Sequence, residues 1–317
     1  MSLKPSRRQR TTQNKTITVA ICTFRRINLL EHCLRGLERQ TFKDFDVVVV
    51  DNDSAKSAAG LVESAAHSFH QMGIALFYAC EPRQGIAQAR NLAVSLARGT
   101  YVAFIDDDEV PSRDWLDSLL RTCRVTGADG VAGVVLPNFP EGFPDWQRQG
   151  FFERPRAISG TRIPGKRCCT ANMLVRRELL TLRDGPFRDK YGRTGGEDAD
   201  LFDWLHLRGY RFVWCDEASV EEYVPLERSR VSWHLRRAYR SGWGYSSMLL
   251  ENHGLAAMTS HLLLGAELGY LKSLVRACAA TPSARATGLL LLRGSLLYFG
   301  KWGFVLGKSV EEYRGKS

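Results

Sequence analysis

Three runs of residues in this chain have the types and spacing that chemistry requires. The first is FIDDDE at 104–109, an apolar stretch that closes on three consecutive carboxylates. Adjacent carboxylates repel, so Asp106, Asp107 and Asp108 call for a compensating cation. Hard oxygen ligands suit Mg2+ or Mn2+, whose remaining coordination positions take phosphate oxygens. A solvated acidic turn is the bland alternative. The second run is GGEDAD at 195–200. A carboxylate that opens a helix beside flexible glycines can take the proton of an attacking hydroxyl. Acidic residues in a first turn also simply favour the helix dipole. The third run is Gly85-Ile86-Ala87-Gln88-Ala89-Arg90-Asn91, in which a glycine opens a helix and Arg90 lies on its first turns.

The elements that must carry these runs alternate between two periods. ITVAICT (17–23), FDVVVVDN (45–52), IALFYAC (74–80), YVAFIDDDE (101–109) and DGVAGVVL (129–136) are short apolar runs of strand character. Helical spacing fills the intervals at 27–40, 55–71, 85–99 and 115–124, and Gly99 reads as a helix stop. Continuous apolar strands alternating with helices predict a parallel sheet covered on both faces, an α/β Rossmann-like architecture. Ligands of such open sheets bind at the carboxyl ends of the strands. Those ends read Thr23-Phe24-Arg25, Asp51-Asn52-Asp53 and Asp106-Asp107-Asp108, so polar and acidic residues gather on one edge. Residues 137–167, rich in Pro, Gly and aromatics, read as a long loop region, of a length usually functional or disordered. A strand and a helix follow from 168, then the GGEDAD helix and a strand pair to about 225. Three helical stretches, near 230–251, 255–279 and 285–307, close the chain.

With 44% hydrophobic and 25% charged residues in 317, the chain can bury a sizeable core. Its net charge of +10 is uneven. Residues 1–16 hold five basic and no acidic residues, and 229–317 hold twelve basic against four acidic, so the body between them is net acidic. The expected organisation is a disordered basic leader at 1–16, a catalytic domain at 17–228, and a basic amphipathic helical region at 229–317 in which His261, Lys272 and Arg276 share one side. A basic, apolar-rich end suits an anionic membrane surface better than nucleic acid, and an acidic edge repels phosphate backbones. Within 286–307, Arg293 and Lys301 interrupt the apolar run, which favours a helix lying on the membrane over one spanning it. The eight cysteines show no C-x-x-C pair and no zinc spacing, and read as buried free thiols.

Taken in order, the motifs of residues 17–225 resemble those of the family-2 glycosyltransferases of the GT-A fold. Thr23-Phe24-Arg25-Arg26 follows the first strand, Asp51-Asn52-Asp53-Ser54 the second. Gly85 to Asn91 then matches G-x-x-x-A-R-N, the run 104–109 matches F-(L/I)-D-x-D-(D/E), and Glu197-Asp198 opens a late helix. The resemblance implies a nucleotide-sugar site including Thr23, Arg25, Asp51, Asp53, Arg90, Asn91, Asp106 and Asp107. It also implies a divalent metal on Asp108 and Asp106, and Asp198 or Glu197 as base. Such enzymes invert the anomeric centre. Within the family the chain is most similar to single-sugar glucosyltransferases of exopolysaccharide assembly, through CTFRR, VVVDND, FIDDDE, the GGEDAD helix and RRAYRSG at 236–242. That implies glucose from UDP-glucose passed to a lipid-linked oligosaccharide by a peripheral enzyme at the cytoplasmic face of the membrane. The Q-x-x-R-W box of processive synthases is missing. Alternatives are a different donor such as UDP-GlcNAc, UDP-galactose or GDP-mannose. A sugar-nucleotide pyrophosphorylase lacks its glycine-rich loop here, and a non-enzymatic membrane-binding protein leaves both acidic runs without a use.

Overall fold

The strands at the centre of the molecule are the apolar runs with least local freedom. In β1 (Ile17–Thr23) and β2 (Phe45–Asp51), alternate residues point to opposite faces and nearly all are buried. A computed structural model describes residues 15–265 and 284–308. On one face, Ile17, Val19, Ile21, Val47 and Val49 pack under α1 (Ile27–Glu38), α2 (Ala59–Gln71) and α4 (Trp115–Thr126). The buried positions of α1, Leu30, Cys33, Leu34 and Leu37, fall at i, i+3, i+4 and i+7, one helical stripe. On the other face, Ala20, Val48, Val50 and Phe104 meet α3 (Ile86–Leu96) and α6 (Glu197–Leu207).

The remaining strands are β3 (Leu76–Cys80), β4 (Tyr101–Ile105), β5 (Glu109–Pro111), β6 (Gly130–Asn138), β7 (Arg162–Ile163), β8 (Asn172–Arg176) and β9 (Phe212–Tyr223). They form one sheet in the order β3-β2-β1-β4-β8-β6-β9-β5, with β7 beside β9. The expectation of a parallel sheet holds for β3-β2-β1-β4 and for β6-β9, but β8 lies antiparallel between β4 and β6. The cause is the connection. Residues 139–171 run down to pair β7 with the amino end of β9 and then return to the carboxyl edge of β6, so the chain re-enters the sheet from that edge, and an antiparallel return needs no crossover helix.

Three local expectations are corrected. The predicted strand pair after α6 is a single strand, β9, whose register against β6 jumps from Gly133↔Cys215 to Val134↔Ser219, so residues 216–218 bulge out. The Asn172 amide fills that gap: Nδ2 donates to Val134 O (2.9 Å) and Ala218 O (2.8 Å), and Oδ1 accepts from Trp115 Nε1 (2.8 Å). Gly99 is not a helix stop, since α3 already ends at Leu96. A Cβ at Gly99 would come within 2.6 Å of the Thr18 backbone nitrogen, so the glycine serves close passage of two chain segments. The residues after β8 form a 3-10 turn, Arg177–Thr181, rather than an α-helix.

The loop at 137–167 is tied down. It holds the short α5 (Asp145–Arg148), and its buried Gln147 donates to Ser229 O and bonds His234. His234 belongs to α7 (Val231–Ser260), whose helical geometry breaks at Gly254 (φ 85°), between the predicted stretches 230–251 and 255–279. The last described helix is α8 (Ala284–Val305). No helix among the described residues is long and apolar enough to cross a membrane. The two cations that interrupt α8 turn inward. Lys301 is buried and bonds His261 at 2.9 Å, and Arg293 lies over Phe151. Leu292, Phe299, Val305 and Leu306 are exposed instead. His261 thus faces the protein rather than a polar outer side. Its predicted companions Lys272 and Arg276, like most of the 1–16 leader and Cys278, lie outside the described residues. The seven described cysteines are free.

Candidate active site

At the carboxyl edge of β1 and β4 the sheet opens into a cleft of about 750 Å³. Its floor is made by Thr23 at the end of β1, Asp106, Asp107 and Asp108 after β4, and Arg90 on α3. Glu197 and Asp198 enter from the start of α6, and Cys168 to Ala171 lead into β8. Gly195 and Gly196 turn the chain into α6 with φ of 74° and 98°, a left-handed conformation in which side chains are strained.

Arg90 joins the two acidic segments. Its guanidinium is buried and donates to Glu197 Oε1 and, at 3.2 Å, to Asp106 Oδ1. Burial pushes Glu197 up to about 7, and the Arg90 charge holds it from going higher. Asp198 is half-buried and lines the cleft, with Oδ2 facing the Thr170 N–H at 3.4 Å and Oδ1 accepting from Ala199 N–H. The two neighbours therefore differ: Glu197 is locked inward, Asp198 faces the space.

The β4 carboxylates are crowded. Thr23 Oγ1 donates to Asp107 Oδ2 at 2.8 Å, and Arg26 Nη1 donates to Asp107 and Asp108 at 3.1 Å each. Arg228 Nη2 reaches Asp108 at 3.3 Å and its Nη1 reaches Glu222 at 2.5 Å. Even so, burial first and the Asp106 charge second raise Asp108 to about 7, and burial raises Asp107. Glu109 is pushed well above the usual carboxylate range by burial, and its Oε2 accepts from Asp106 N–H. A divalent cation fits this donor set. Mg2+ is ordinarily held by one or two carboxylates plus substrate phosphates rather than by a protein cage. Asp106 and Asp108 offer that pair, and a cation would relieve the repulsion that raises Asp108. Among the described residues no cluster of three or more candidate ligands exists.

Four of the anticipated residues do not line the cleft. Asp51 is buried and accepts from Ala58 N–H, Asp53 N–H and the Tyr78 hydroxyl, which shapes the turn after β2. Asp53 pairs with Arg25, whose hydrogen bond holds the Asp53 carboxyl below the usual range. Asn91 bonds the Phe187 backbone through both ends of its amide. Asn52 lines the cleft in their place, with its amide held by Glu81 O, Arg83 O and Gly85 N–H. The sequence reading also passed over Arg26, Arg154, Lys166, Arg167, Arg228, Arg237 and Arg240, all of which line it. Arg26 and the RRAYRSG run were visible in the motifs; Arg154 and Arg228 carried no local signal.

Residues 18–182 match the family profile described as Glycosyl transferase family 2. The chain is 35% identical over 304 residues to the succinoglycan biosynthesis protein ExoM of Rhizobium meliloti (strain 1021), covering 94% of this chain and 95% of that protein. It is 28% identical over 118 residues, 37% of this chain and 36% of the other, to the GalNAc(5)-diNAcBac-PP-undecaprenol beta-1,3-glucosyltransferase of Campylobacter jejuni subsp. jejuni serotype O:2. Among solved structures, the mannosyltransferase PcManGT of Pyrobaculum calidifontis, in complex with GDP-Man and Mn2+, superposes with a TM-score of 0.62 at 20% identity, over 94% of this chain and 89% of that one.

Proposed function

We propose a specific reaction for this chain, which belongs to glycosyltransferase family 2 and carries its GT-A fold. The reaction is inverting, metal-dependent, single-step transfer of a hexose, glucose from UDP-glucose, onto a lipid-linked oligosaccharide of exopolysaccharide synthesis. The observation that carries it is the pairing of two acidic segments across one cleft, Asp106 to Asp108 on one side and Glu197-Asp198 on the other, joined by Arg90.

The donor diphosphate lies along the β1 and β4 edge, against Thr23, Arg26 and Arg90. A divalent ion held by Asp106 and Asp108 would offset the charge that develops on the leaving nucleoside diphosphate. Asp198 takes the proton of the acceptor hydroxyl as its oxygen bonds the anomeric carbon and the bond from that carbon to the phosphate oxygen breaks. Attack opposite the leaving group turns an α-linked donor into a β-linked product. Glu197 is a positioning residue: pinned by Arg90, it holds that guanidinium between α6 and the strand-end carboxylates. The likeness to the succinoglycan protein supports the glucosyl donor and the exopolysaccharide setting. The outward-facing Leu292, Phe299, Val305 and Leu306 support peripheral contact with the cytoplasmic membrane face through the 229–317 region.

Calorimetric titration of UDP-glucose with and without Mn2+, beside GDP-mannose and UDP-GlcNAc, tests the reading. Metal-dependent binding of UDP-glucose, tighter than the other two, is expected. Tighter binding of a different donor overturns the glucosyl assignment, and metal-independent binding overturns the role of Asp106 and Asp108.

A further inference from the structure

Asp108, one of the two carboxylates suited to a cation, already carries two guanidinium groups. Its Oδ2 accepts from Arg26 Nη1 at 3.1 Å and from Arg228 Nη2 at 3.3 Å. Arg228 also reaches Glu222 Oε1 with Nη1 at 2.5 Å, so one planar fork bridges the turn after β4 and strand β9. Glu222 sits opposite Glu109 where β5 and β9 run antiparallel, and its other oxygen lies 3.7 Å from Arg154 Nη2. The Arg228 side chain is 16% exposed against 46% for Arg26, so it is the more deeply placed of the two.

The backbone that carries this guanidinium is pinned. Arg228 belongs to the 3-10 turn Leu226–Ser229, which joins β9 to α7. Its N–H donates to Pro225 O at 2.9 Å, and the Gln147 amide holds Ser229 O at 2.8 Å. His234 Nε2, 3.1 Å from Gln147 Oε1, fixes that amide in turn. The side chain above is long and unbranched, and its guanidinium carbon lies 5.7 Å from the centre of the Trp233 ring. An aromatic face of this kind accommodates a guanidinium without drawing it into a single bond. Of the two ion pairs, the 2.5 Å contact with Glu222 is the tighter and the 3.3 Å contact with Asp108 the looser. Arg228 can therefore let go of Asp108 while Glu222 keeps it at the cleft.

The charge of the whole cleft sets what can displace it. Among the described residues, six carboxylates and eight arginines and lysines line the space. A divalent ion arriving alone adds positive charge to this set and meets Arg26 and Arg228 already seated on Asp108. An ion accompanied by a diphosphate adds little net charge. We propose that Arg228 holds Asp108 in place of a cation in the metal-free protein, and passes to the donor diphosphate when ion and nucleotide enter together. Arg228 is then both the barrier to metal binding alone and a ligand of the leaving group. The proposal rests on the metal-dependent transferase reading above, which sets the diphosphate against Thr23, Arg26 and Arg90 and gives Arg228 no part. An ion held by a carboxylate takes phosphate oxygens at its remaining positions, so a fork released from Asp108 meets an anion beside the group it left. Metal and nucleotide thereby strengthen each other's binding, and by linkage the factor is the same in both directions.

The test is calorimetric titration of the full chain with Mn2+, alone and with saturating UDP, in wild type and in Arg228→Met. Arg228→Met should bind Mn2+ alone at least about tenfold more tightly, because a unit charge within hydrogen-bond range of Asp108 is gone. Its affinity for UDP in the presence of Mn2+ should fall about tenfold, because a charge-assisted contact with the diphosphate is lost. UDP should accordingly strengthen Mn2+ binding about tenfold less than it does in wild type. The opposite signs mark the exchange, since removal of a residue that merely props the site open weakens both ligands. Arg228→Lys keeps the charge and loses the fork, so it should restrain Mn2+ as wild type does yet bind UDP more weakly; it carries the test if Arg228→Met unfolds. Weaker or unchanged Mn2+ binding by Arg228→Met overturns the proposal, as does UDP affinity equal to that of wild type. Wild type that takes up no Mn2+ even with UDP brings down the metal reading itself. Wild type with metal-dependent binding, beside a variant without the split of signs, brings down the role of Arg228 alone.

Discussion

Replacing Arg90 by Met removes the charge on which both acidic segments of the site depend. Arg90 and Glu197 are 7% and 2% exposed, more deeply buried than the cleft's ion pairs of Arg26 and Arg228. Breaking a buried pair from one side leaves an uncompensated charge and costs about 3–5 kcal/mol. The contact with Asp106 adds little, because that carboxylate is 40% exposed and screened by solvent. Glu197 has an escape in taking up a proton, and this gives the cost a pH signature. Burial already holds Glu197 at about 7, and Arg90 is the group that keeps it from rising. In Arg90→Met its pKa therefore moves higher still. A carboxyl with a folded pKa above its unfolded value binds more protons when folded, so stability falls as pH rises between the two values. At pH 8 wild-type Glu197 is ionised, and because the variant can protonate it at about 1.4 kcal/mol per pH unit above 7, a pH-dependent cost of about 1–2 kcal/mol is expected, a fall in Tm of a few degrees. Near pH 5.5 Glu197 is protonated in both proteins, and less than half of that cost should remain. Urea denaturation at the two pH values, with Arg90→Met/Glu197→Gln as partner, measures it. The double variant should recover most of the loss at pH 8. An equal loss at both pH values, or no recovery, refutes the account of Arg90 as the counter-charge of Glu197.

Asp198→Asn should lower kcat by about 10²–10⁴-fold with UDP-glucose affinity retained, since a base acts in the transition state; weakened donor binding in calorimetry would assign Asp198 to positioning instead. Asp108→Asn should leave the fold intact and abolish the Mn2+ dependence of turnover, and wild-type rates would remove Asp108 from the metal site. Because burial raises Asp108 and Glu197 to about 7, the metal-free protein should lose stability from about pH 4 to pH 7. Mn2+ should raise Tm more at pH 8 than at pH 5.5, since its ligands must be ionised; equal shifts would count against carboxylate ligation. Asn172→Leu strips partners from Val134 O, Ala218 O and Trp115 Nε1 and should cost about 3 kcal/mol or more in denaturation. A loss under 1 kcal/mol would mean that the β9 bulge is not held by that amide.

What the sequence determined by itself is what depends on neighbours along the chain. Strand and helix periods placed β1 to β4 and α1 to α4, because burial of alternate or every third and fourth residue is a local pattern. The same periods put Asp106 to Asp108 and Glu197-Asp198 at element ends, where polar residues must gather. Pairings across long separations had no such trace. Arg90 meets Glu197 across 107 residues, Arg228 meets Asp108 across 120, and Asn172 closes a bulge between segments 38 and 46 residues away. Asp51 and Asn91 carried the right residue types, yet they lie outside the cleft with their side chains bonded to backbone, while Asn52, next to Asp51 and also bonded to backbone, lines it. The antiparallel run of β8 followed from the edge to which the 139–171 connection returns, and the cleft-facing side of α7 from glycine contacts with α8. Only the tertiary structure decided these, because a side chain's partner is set by the path of the whole chain and not by its own residue type.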